Sequence, residues 1–191
     1  MVGFASRAGR GHLQRFRYMN TTEIAGIQGA LMLQPERHED ERGWFMELVR
    51  EPELGSNFVQ SNHSYSRKGT LRGLHWHKRQ SDLWYVVAGE AQAVLVDLRT
   101  RADKVSSAEV ILDASVPQLL FIPPGVAHGY LALTDLDVIY WVTHLYDSGD
   151  EHGLAWDAPG LGVAWQSDTP LLSDRDKNNP GLDWDLIDPS L

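Results

Sequence analysis

The feature that most constrains the fold is a succession of short β-rich segments separated by turn-forming residues. The clearest of these segments lie at residues 83–88, 91–98, 108–112, 118–122 and 137–142. Gly89 divides the first two, which predicts a β-hairpin, and Pro123-Pro124-Gly125 marks a tight turn. Helical periodicity is not sustained over three turns in any segment. Many short strands divided by turns are typical of a sandwich or barrel, so we expect an all-β fold with a few short helical turns.

The length and composition of the chain favour one globular domain. Its 191 residues are enough for a substantial core, and no linker-like segment divides them. We expect residues 21–191 to form this domain, with residues 166–191, rich in Asp, Pro and Asn, packed as turns on its outside or across one end. Residues 1–20 are basic and lack the apolar core of a signal peptide, so we expect a flexible leader. An arm that contacts phosphate is the alternative for this segment.

The charge and the cysteine content argue against several classes of protein. The formal net charge is −9, from 26 acidic and 17 basic residues, whereas a protein that binds duplex nucleic acid normally presents a basic face. No apolar run approaches the roughly 20 residues of a membrane helix. The chain has no cysteine, which excludes disulfides and thiolate metal sites and is compatible with a reducing compartment. We therefore expect a cytoplasmic protein whose partners include neither nucleic acid nor a membrane.

Three histidines and an aspartate stand at spacings that suit a metal site. His75 and His77 are two residues apart, so both side chains would lie on the same face of a strand. Asp82 and His128 would enter from neighbouring strands. Three imidazoles and one carboxylate suit a divalent first-row cation whose identity the sequence does not specify. The alternative is a polar pocket in which these histidines are hydrogen-bonded without a metal.

These histidine segments resemble the paired motifs of the cupins, with Asp82 in place of the usual glutamate. The first motif runs from Gly69 to Gly89, and the second is the Pro124-Gly125-Val126-Ala127-His128 turn. The resemblance implies a jelly-roll β-sandwich or barrel with the four side chains in its interior. Because cupins support many activities, the fold alone does not imply one reaction.

A second resemblance extends over most of the chain. The segment Leu71-Arg72-Gly73-Leu74-His75 is similar to the Leu-Arg-Gly-Leu-His signature of the dTDP-4-dehydrorhamnose 3,5-epimerase family. Further blocks resemble that family in the same order, at residues 41–47, 58–64, 89–90, 96–99, 122–129, 153–157 and 172–176. Family members act on a nucleoside-diphosphate 4-keto-6-deoxy sugar. A base removes a proton beside the ketone and an acid returns one to the other face. The resemblance therefore implies an epimerase or isomerase that requires no cofactor.

The resemblance also implies roles for individual residues. His75 takes the place of the base, and Asp176 that of the carboxylate that orients it. Arg72 takes the place of a residue that contacts phosphate or sugar. The other implied substrate-binding positions are Gln60, Asn62 and His63 in the pocket, and Arg42, Phe45 and Glu47 at the nucleotide end. Because the family forms homodimers by exchange of an N-terminal strand, the nucleotide end would be built partly by the partner subunit.

One departure from the family concerns the proton donor. Where the family has a tyrosine, this chain has Leu145, and Tyr146 follows directly. Tyr146 is our candidate donor if a one-residue bulge turns it inward, because adjacent residues of a regular strand face opposite ways. Tyr140 and His144 are the alternative donors.

Two further departures concern charge. Asp82 replaces a family lysine that can stabilise the enolate, and His77 replaces a glutamine. An anion beside a developing enolate raises the barrier, whereas a cation bound by both residues would act as a Lewis acid. A metal-bound His75, however, could not serve as a free base. Three functions thus remain open: an epimerase, a metal-dependent enzyme of altered chemistry, and a sugar-nucleotide binding protein without activity.

Overall fold

The chain is seen in a computed structural model that describes residues 19–50, 56–101, 105–185 and 187. Within these residues the only helix is a single turn, α1 (Asp174–Lys177). The remaining regular structure consists of β-strands: β1 (Met19–Glu23), β2 (Leu31–Pro35), β3 (Arg37–Asp40), β4 (Gly43–Met46), β5 (Gln60–Ser66), β6 (Leu71–Trp76), β7 (Asp82–Ala88), β8 (Glu90–Asp97), β9 (Ser106–Asp113), β10 (Leu119–Ile122), β11 (Val126–Ala132), β12 (Leu136–Val142) and β13 (His152–Gly153). The expectation of an all-β chain is confirmed.

Two antiparallel sheets form the body of the molecule. One has six strands in the order β1-β2-β10-β7-β12-β5, and the other has five in the order β13-β6-β11-β8-β9. Strands β3 and β4 form a separate hairpin. Apolar side chains from both sheets make a shared core that includes Trp84, Leu95, Leu120 and Val138. This arrangement is the jelly-roll sandwich that the cupin resemblance implied.

The predicted hairpin around Gly89 is wrong, because β7 and β8 belong to different sheets. Gly89 is the only residue between the two strands and has a φ of 86°. One residue is too short for the two-residue loops of tight hairpins. The chain instead turns a corner and passes from one sheet to the other. Consequently His128 on β11 enters from a strand next to β6, as expected, whereas Asp82 on β7 enters from the opposite sheet.

Strand β8 is buried on both faces, and its alternating residues belong to two different clusters. Ala93 and Leu95 contribute to the core between the sheets. Val94 and Val96 pack on the other side of the strand, against Leu154, Leu161, Ala158 and Ile187. Each fully buried aliphatic side chain contributes about 1.5–3 kcal/mol, so this second cluster anchors the C-terminal part of the chain. Within segment 166–191, Ile187 packs in this outer cluster, whereas Ser173, Arg175 and Asp176 lie at the cavity between the sheets.

The N-terminal boundary of the domain lies slightly earlier than predicted. Met19 is buried and pairs with Pro35 of β2, so Met19 and Asn20, which we placed in the leader, belong to β1. The rest of the predicted leader, residues 1–18, lies outside the described residues. In the part of the chain that the structure covers, no helix has the length and apolar character needed to cross a membrane.

Candidate active site

A cavity of about 430 Å³ opens between the two sheets at one end of the sandwich. Its walls come from five strands, from the β6–β7 and β12–β13 connections, and from the segment around α1. Most of the residues singled out from the sequence reach it. The residues that line it are Gln60, Asn62, Ser64, Arg72, His75, His77, Gln80, Asp82, Trp84, His128, Tyr130, Val138, Tyr140, Val142, Tyr146, Glu151, Ser173, Arg175 and Asp176.

An irregularity in β6 brings Arg72 and His75 to the same cavity. His75 pairs with His128 of β11, and Arg72 pairs with Tyr130. A step of three residues along β6 therefore lies opposite a step of two residues along β11. In a regular strand, side chains three residues apart would face opposite sides of the sheet. The one extra residue of this β-bulge returns both side chains to the cavity.

The bulge depends on two glycines that face each other across the strands. A Cβ on Gly73 would lie 2.7 Å from the Cα of Gly129, and a Cβ on Gly129 would lie 2.6 Å from the backbone oxygen of Arg72. Real Cβ atoms do not approach backbone atoms this closely. Gly73 also has a φ of 130°, which residues with side chains rarely adopt. The close approach of β6 and β11 therefore requires glycine at both positions.

His75 and Asp176 form a partly buried hydrogen-bonded pair at the cavity wall. The distance from His75 Nε2 to Asp176 Oδ1 is 2.7 Å, and Asp176 is only 5% exposed. The single turn of α1 holds the carboxylate, and the hydroxyl of Ser173 caps that turn by accepting a hydrogen bond of 3.1 Å from the Asp176 backbone N–H. Burial alone would raise the pKa of Asp176, but the hydrogen bond and charge of His75, with other donors, lower it overall. The ionised carboxylate thus accepts the Nε2 proton, which leaves the lone pair of His75 on Nδ1.

Arg72 is fixed by hydrogen bonds at one side of the cavity. Its Nε donates to the hydroxyl of Ser66 at 2.9 Å and an Nη donates to the backbone oxygen of Tyr65 at 3.1 Å. Ser66 is also hydrogen-bonded to the phenol of Tyr130 at 3.0 Å. The guanidinium group is therefore preorganised, which favours recognition of paired anionic oxygens.

Strand β5 divides its side chains between the cavity and the outside. Gln60, Asn62 and Ser64 line the cavity, and the amide of Gln60 donates to the oxygen of Asn62 at 2.8 Å. His63 lies on the opposite face, where it is exposed and 2.9 Å from Asp137. The pocket positions implied for Gln60 and Asn62 agree with this geometry. The position implied for His63 does not, because successive residues of a strand alternate in direction.

Tyr146 lines the cavity without the bulge that we considered necessary. Strand β12 ends at Val142, so residues 143–146 are free of the alternation that would have turned Tyr146 outward. The backbone N–H of Tyr146 donates to the side-chain oxygen of Gln60 at 3.4 Å, which holds the residue at the rim. Leu145 is exposed and is not among the described lining residues. Of the alternative donors, Tyr140 lines the cavity and His144 does not; burial raises the pKa of Tyr140.

His77, Asp82 and His128 meet in the interior of the cavity. Each has a side-chain ligand atom, all within 4.8 Å of one another, and the three residues are only 6%, 4% and 5% exposed. His75, predicted as the fourth ligand, lies outside this group and is bound instead to Asp176. Burial lowers the pKa of His128 to about 4, although Asp82 opposes this shift, so the imidazole is neutral at pH 7.

The residues implied for the nucleotide end lie elsewhere. Arg42, Phe45 and Glu47, in and after the β3–β4 hairpin, are exposed and are not among the described lining residues. Arg42 forms an ion pair with Asp40, and Glu47 forms one with Arg50. Phe45 is 62% exposed, so it does not pack in the core of this chain.

Several lining residues were missed in the sequence. Tyr130, Trp84, Gln80 and Glu151 were not singled out, although all four reach the cavity. Period-two alternation would have identified Val138 and Val142, since both share one face of β12 with Tyr140. Gln80 gave no such signal because it lies in the connection between β6 and β7 rather than in a strand.

The chain matches known proteins over most of its length. The family model for dTDP-4-dehydrorhamnose 3,5-epimerase matches residues 24–183. The dTDP-4-dehydrorhamnose 3,5-epimerase of Methanothermobacter thermautotrophicus is 38% identical over 178 residues, which is 87% of this chain and 94% of that protein.

Solved structures show the same relationship. The crystal structure of dTDP-4-dehydrorhamnose 3,5-epimerase from Bacillus anthracis, with TDP and PPi bound, has a TM-score of 0.80 and 34% identity, covering 86% of this chain and 99% of that one. The dTDP-6-deoxy-D-glucose-3,5-epimerase of Legionella pneumophila, in complex with dTDP-4-keto-L-rhamnose, has a TM-score of 0.79 and 32% identity, covering 90% and 95%. Sequence and structure therefore agree that this chain belongs to the dTDP-4-dehydrorhamnose 3,5-epimerase family.

Proposed function

We propose that this protein epimerises a dTDP-linked 4-keto-6-deoxy sugar by removing a proton beside the ketone. The observation that carries this proposal is the partly buried pair of His75 and Asp176, with Nε2 and Oδ1 2.7 Å apart at the wall of the cavity. The family relationship supports the substrate class, because the relatives carry the names of dTDP-sugar epimerases.

His75 is the proposed base and Asp176 the residue that positions it. The C4 ketone acidifies the protons on carbons 3 and 5, and loss of one proton gives an enolate. Since Nε2 is engaged by Asp176, Nδ1 of His75 is the nitrogen that can accept the proton. The buried carboxylate then stabilises the imidazolium that forms, because a charge-assisted hydrogen bond is stronger than a neutral one.

Tyr146 is the proposed acid that returns a proton to the other face of the carbon. Tyr146 lies at the rim of the cavity, where it is 70% exposed, and its backbone N–H is hydrogen-bonded to Gln60 on β5. The adjoining Arg72 presents a fixed guanidinium group for the phosphates or the sugar. Gln60 and Asn62, which already form a hydrogen bond to each other, are the proposed polar contacts for the sugar hydroxyls.

A homodimer is also proposed. Trp44 and Phe45 on the β3–β4 hairpin are 57% and 62% exposed, and large aromatic side chains of this kind are enriched at protein interfaces. In a dimer, Arg42, Phe45 and Glu47 would be available to the partner's nucleotide end. Light scattering in solution gives the mass directly, and a monomer would exclude this arrangement. The expectation of a cytoplasmic protein stays a prediction, to be tested by cell fractionation.

Proton exchange measured by NMR tests the function. Wild-type protein in D2O, given dTDP-4-keto-6-deoxyglucose, should replace the hydrogen on carbon 3, carbon 5 or both with deuterium. His75→Asn should slow this exchange by about 10²- to 10⁴-fold, the usual contribution of a positioned base. His63→Gln, on the outer face of β5, is the matched control and should exchange at the wild-type rate. Tight binding of dTDP without any exchange would instead identify a non-catalytic binding protein.

A metal-dependent reaction of different chemistry is the second candidate. It is favoured by one observation, the convergence of His77, Asp82 and His128 in the same cavity. Product analysis separates the two functions, since an epimerase gives an isomer of unchanged mass. A lyase or dioxygenase would change the mass of the sugar nucleotide.

A further inference from the structure

The group formed by His77, Asp82 and His128 is built by three separate parts of the fold. His77 follows the end of β6, Asp82 begins β7, and His128 lies in β11 on the opposite sheet. All three are almost fully buried, yet all three line the cavity. Side chains that are buried from bulk solvent but open to a substrate cavity are well placed to hold an ion that a substrate can reach.

Backbone carbonyls determine which nitrogen of each histidine is free. His77 Nδ1 lies 2.8 Å from the backbone oxygen of Asp150, and His128 Nδ1 lies 2.9 Å from the backbone oxygen of Val126. A carbonyl can only accept, so each Nδ1 carries the proton. Each Nε2 therefore keeps its lone pair, which is the arrangement found in histidines that bind metal ions through Nε2. His128 Nε2 is directed towards Asp82, 3.8 Å from its Oδ2.

The hydrogen bonds to the side chain of Asp82 come from uncharged groups. Its carboxylate accepts hydrogen bonds from the Gln80 amide at 2.9 Å and from the Trp84 indole at 3.3 Å. Both donors are uncharged groups. Burial of a carboxylate is costly unless a cation or several hydrogen bonds compensate it. A divalent cation between the carboxylate and the two imidazoles would provide that compensation.

We propose that His77, Asp82 and His128 bind one divalent first-row transition-metal cation, such as Zn²⁺, Co²⁺ or Fe²⁺, with its remaining coordination positions open to the cavity. Two imidazoles and one carboxylate suit these ions. With metal–ligand bonds of about 2.1 Å, the donor atoms would lie roughly 3.0–3.4 Å apart. The His128–Asp82 distance of 3.8 Å therefore has to close by about half an ångström.

Gln80 marks the place of the cation. Its amide nitrogen lies 3.2 Å from His77 Nε2 and 2.9 Å from Asp82 Oδ1, so it interacts with two of the three proposed ligand atoms. A bound cation would replace these two hydrogen bonds. The amide would have to turn away, or turn over to present its oxygen.

The proposed site leaves His75 free, since that residue is hydrogen-bonded to Asp176 and lies outside the group of ligands. A base and a cation can therefore coexist in one cavity. This step rests on the proposed function: the cation supplies positive charge to the ketone oxygen, where the family pattern has a lysine and this chain has Asp82. Lewis-acid stabilisation of an enolate oxygen lowers the barrier to proton removal.

Metal binding can be measured without reference to activity. Protein prepared without a histidine tag and treated with chelator is titrated with Co²⁺, followed by visible absorption and elemental analysis. We expect one equivalent to bind. His77→Gln and Asp82→Asn, both close in shape to the native residues, should weaken binding by about 100-fold or more. Gln80→Leu keeps all three ligands and removes the competing amide, so its affinity should equal or exceed that of the wild type.

Two controls locate the site. His144→Gln changes an exposed histidine outside the cavity, and His75→Asn removes the proposed base; both should still bind one equivalent. Circular dichroism and thermal melting confirm that each variant is folded. Less than about a tenth of an equivalent in the wild type, or unchanged affinity in both His77→Gln and Asp82→Asn, would overturn the proposed site.

The same variants separate this inference from the proposed function. If the wild type binds Co²⁺ but exchanges no proton, the metal site stands and the epimerase proposal fails. If chelated protein exchanges protons at the full rate and binds no metal, the epimerase proposal stands and the metal site fails. If exchange falls on chelation and returns with Co²⁺ in the wild type but not in Asp82→Asn, both are supported.

Discussion

Replacement of Asp176 by asparagine is the sharpest test of the proposed base. The substitution keeps the size of the side chain and removes the charge that faces His75 at 2.7 Å. If the asparagine oxygen accepts from Nε2–H, it lacks the charge that stabilises the imidazolium. If the asparagine NH2 donates to Nε2, the proton of His75 moves to Nδ1, the nitrogen that is required as the base. A hydrogen bond to a charged group contributes about 1.5–3 kcal/mol. Since each 1.36 kcal/mol is tenfold in rate, we expect kcat to fall by roughly 10- to 150-fold.

The assay is deuterium incorporation into dTDP-4-keto-6-deoxyglucose, with binding of dTDP measured in parallel. Because Asp176 acts through His75 rather than by holding the nucleotide, the dissociation constant of dTDP should stay unchanged. Asp174→Asn is the matched control: it lies in the same turn, and its carboxylate is fully exposed beside Lys177. An Asp176→Asn protein that exchanges protons at more than half the wild-type rate would refute the assigned role. An equal loss in Asp174→Asn would refute it too.

Three further predictions follow from the same geometry. Tyr146→Phe should lower formation of the epimerised product by about 10²-fold, while proton exchange by His75 persists; chromatography measures the product and NMR the exchange in one sample. If product formation falls in Tyr140→Phe instead, Tyr140 is the donor. Arg72→Lys should weaken dTDP binding by about tenfold in calorimetry, because lysine lacks the planar guanidinium group that can bind two oxygens at once. Arg67→Lys, at an exposed position, is the control and should bind dTDP as the wild type does. The pKa of Asp176 is lowered in the folded protein, so its stabilisation is present above about pH 4 and is lost as pH falls through the folded pKa. In urea unfolding, the advantage of wild type over Asp176→Asn should therefore shrink between pH 5 and pH 3, and a constant difference would contradict the pKa shift.

The sequence predicted the class of fold better than the pairing of its strands. Short β-rich runs divided by glycine and proline are local features, so β7, β8, β9, β10 and β12 were all recognised within two residues of their observed ends. Pairing is decided by long-range packing. A glycine between two β-rich segments fits a hairpin and a corner between two sheets equally well. The burial of β8 on both faces, which depends on the folded chain, is what separates the two arrangements.

The residues of the candidate site were predicted best where a family motif fixes their position along the chain. The place of His75 beside Asp176, 101 residues apart in the chain, was implied by the family resemblance and could not have come from local periodicity. His63 was misplaced because a motif names consecutive residues, whereas a strand sends them to opposite faces. Four metal ligands were expected from spacing, but spacing does not show that Asp176 occupies the His75 nitrogen.

The extra residue in β6 has a consequence for how this protein can change over time. It makes the interval between Arg72 and His75 odd, so the usual even-odd rule for choosing inward-facing positions fails on one side of Gly73. Deleting a single residue there would reverse the direction of everything before it and send the guanidinium group into water. Side chains at positions 77 and 82 can be exchanged one at a time without moving a strand, but the spacing between Arg72 and His75 can be altered only together with the facing strand β11.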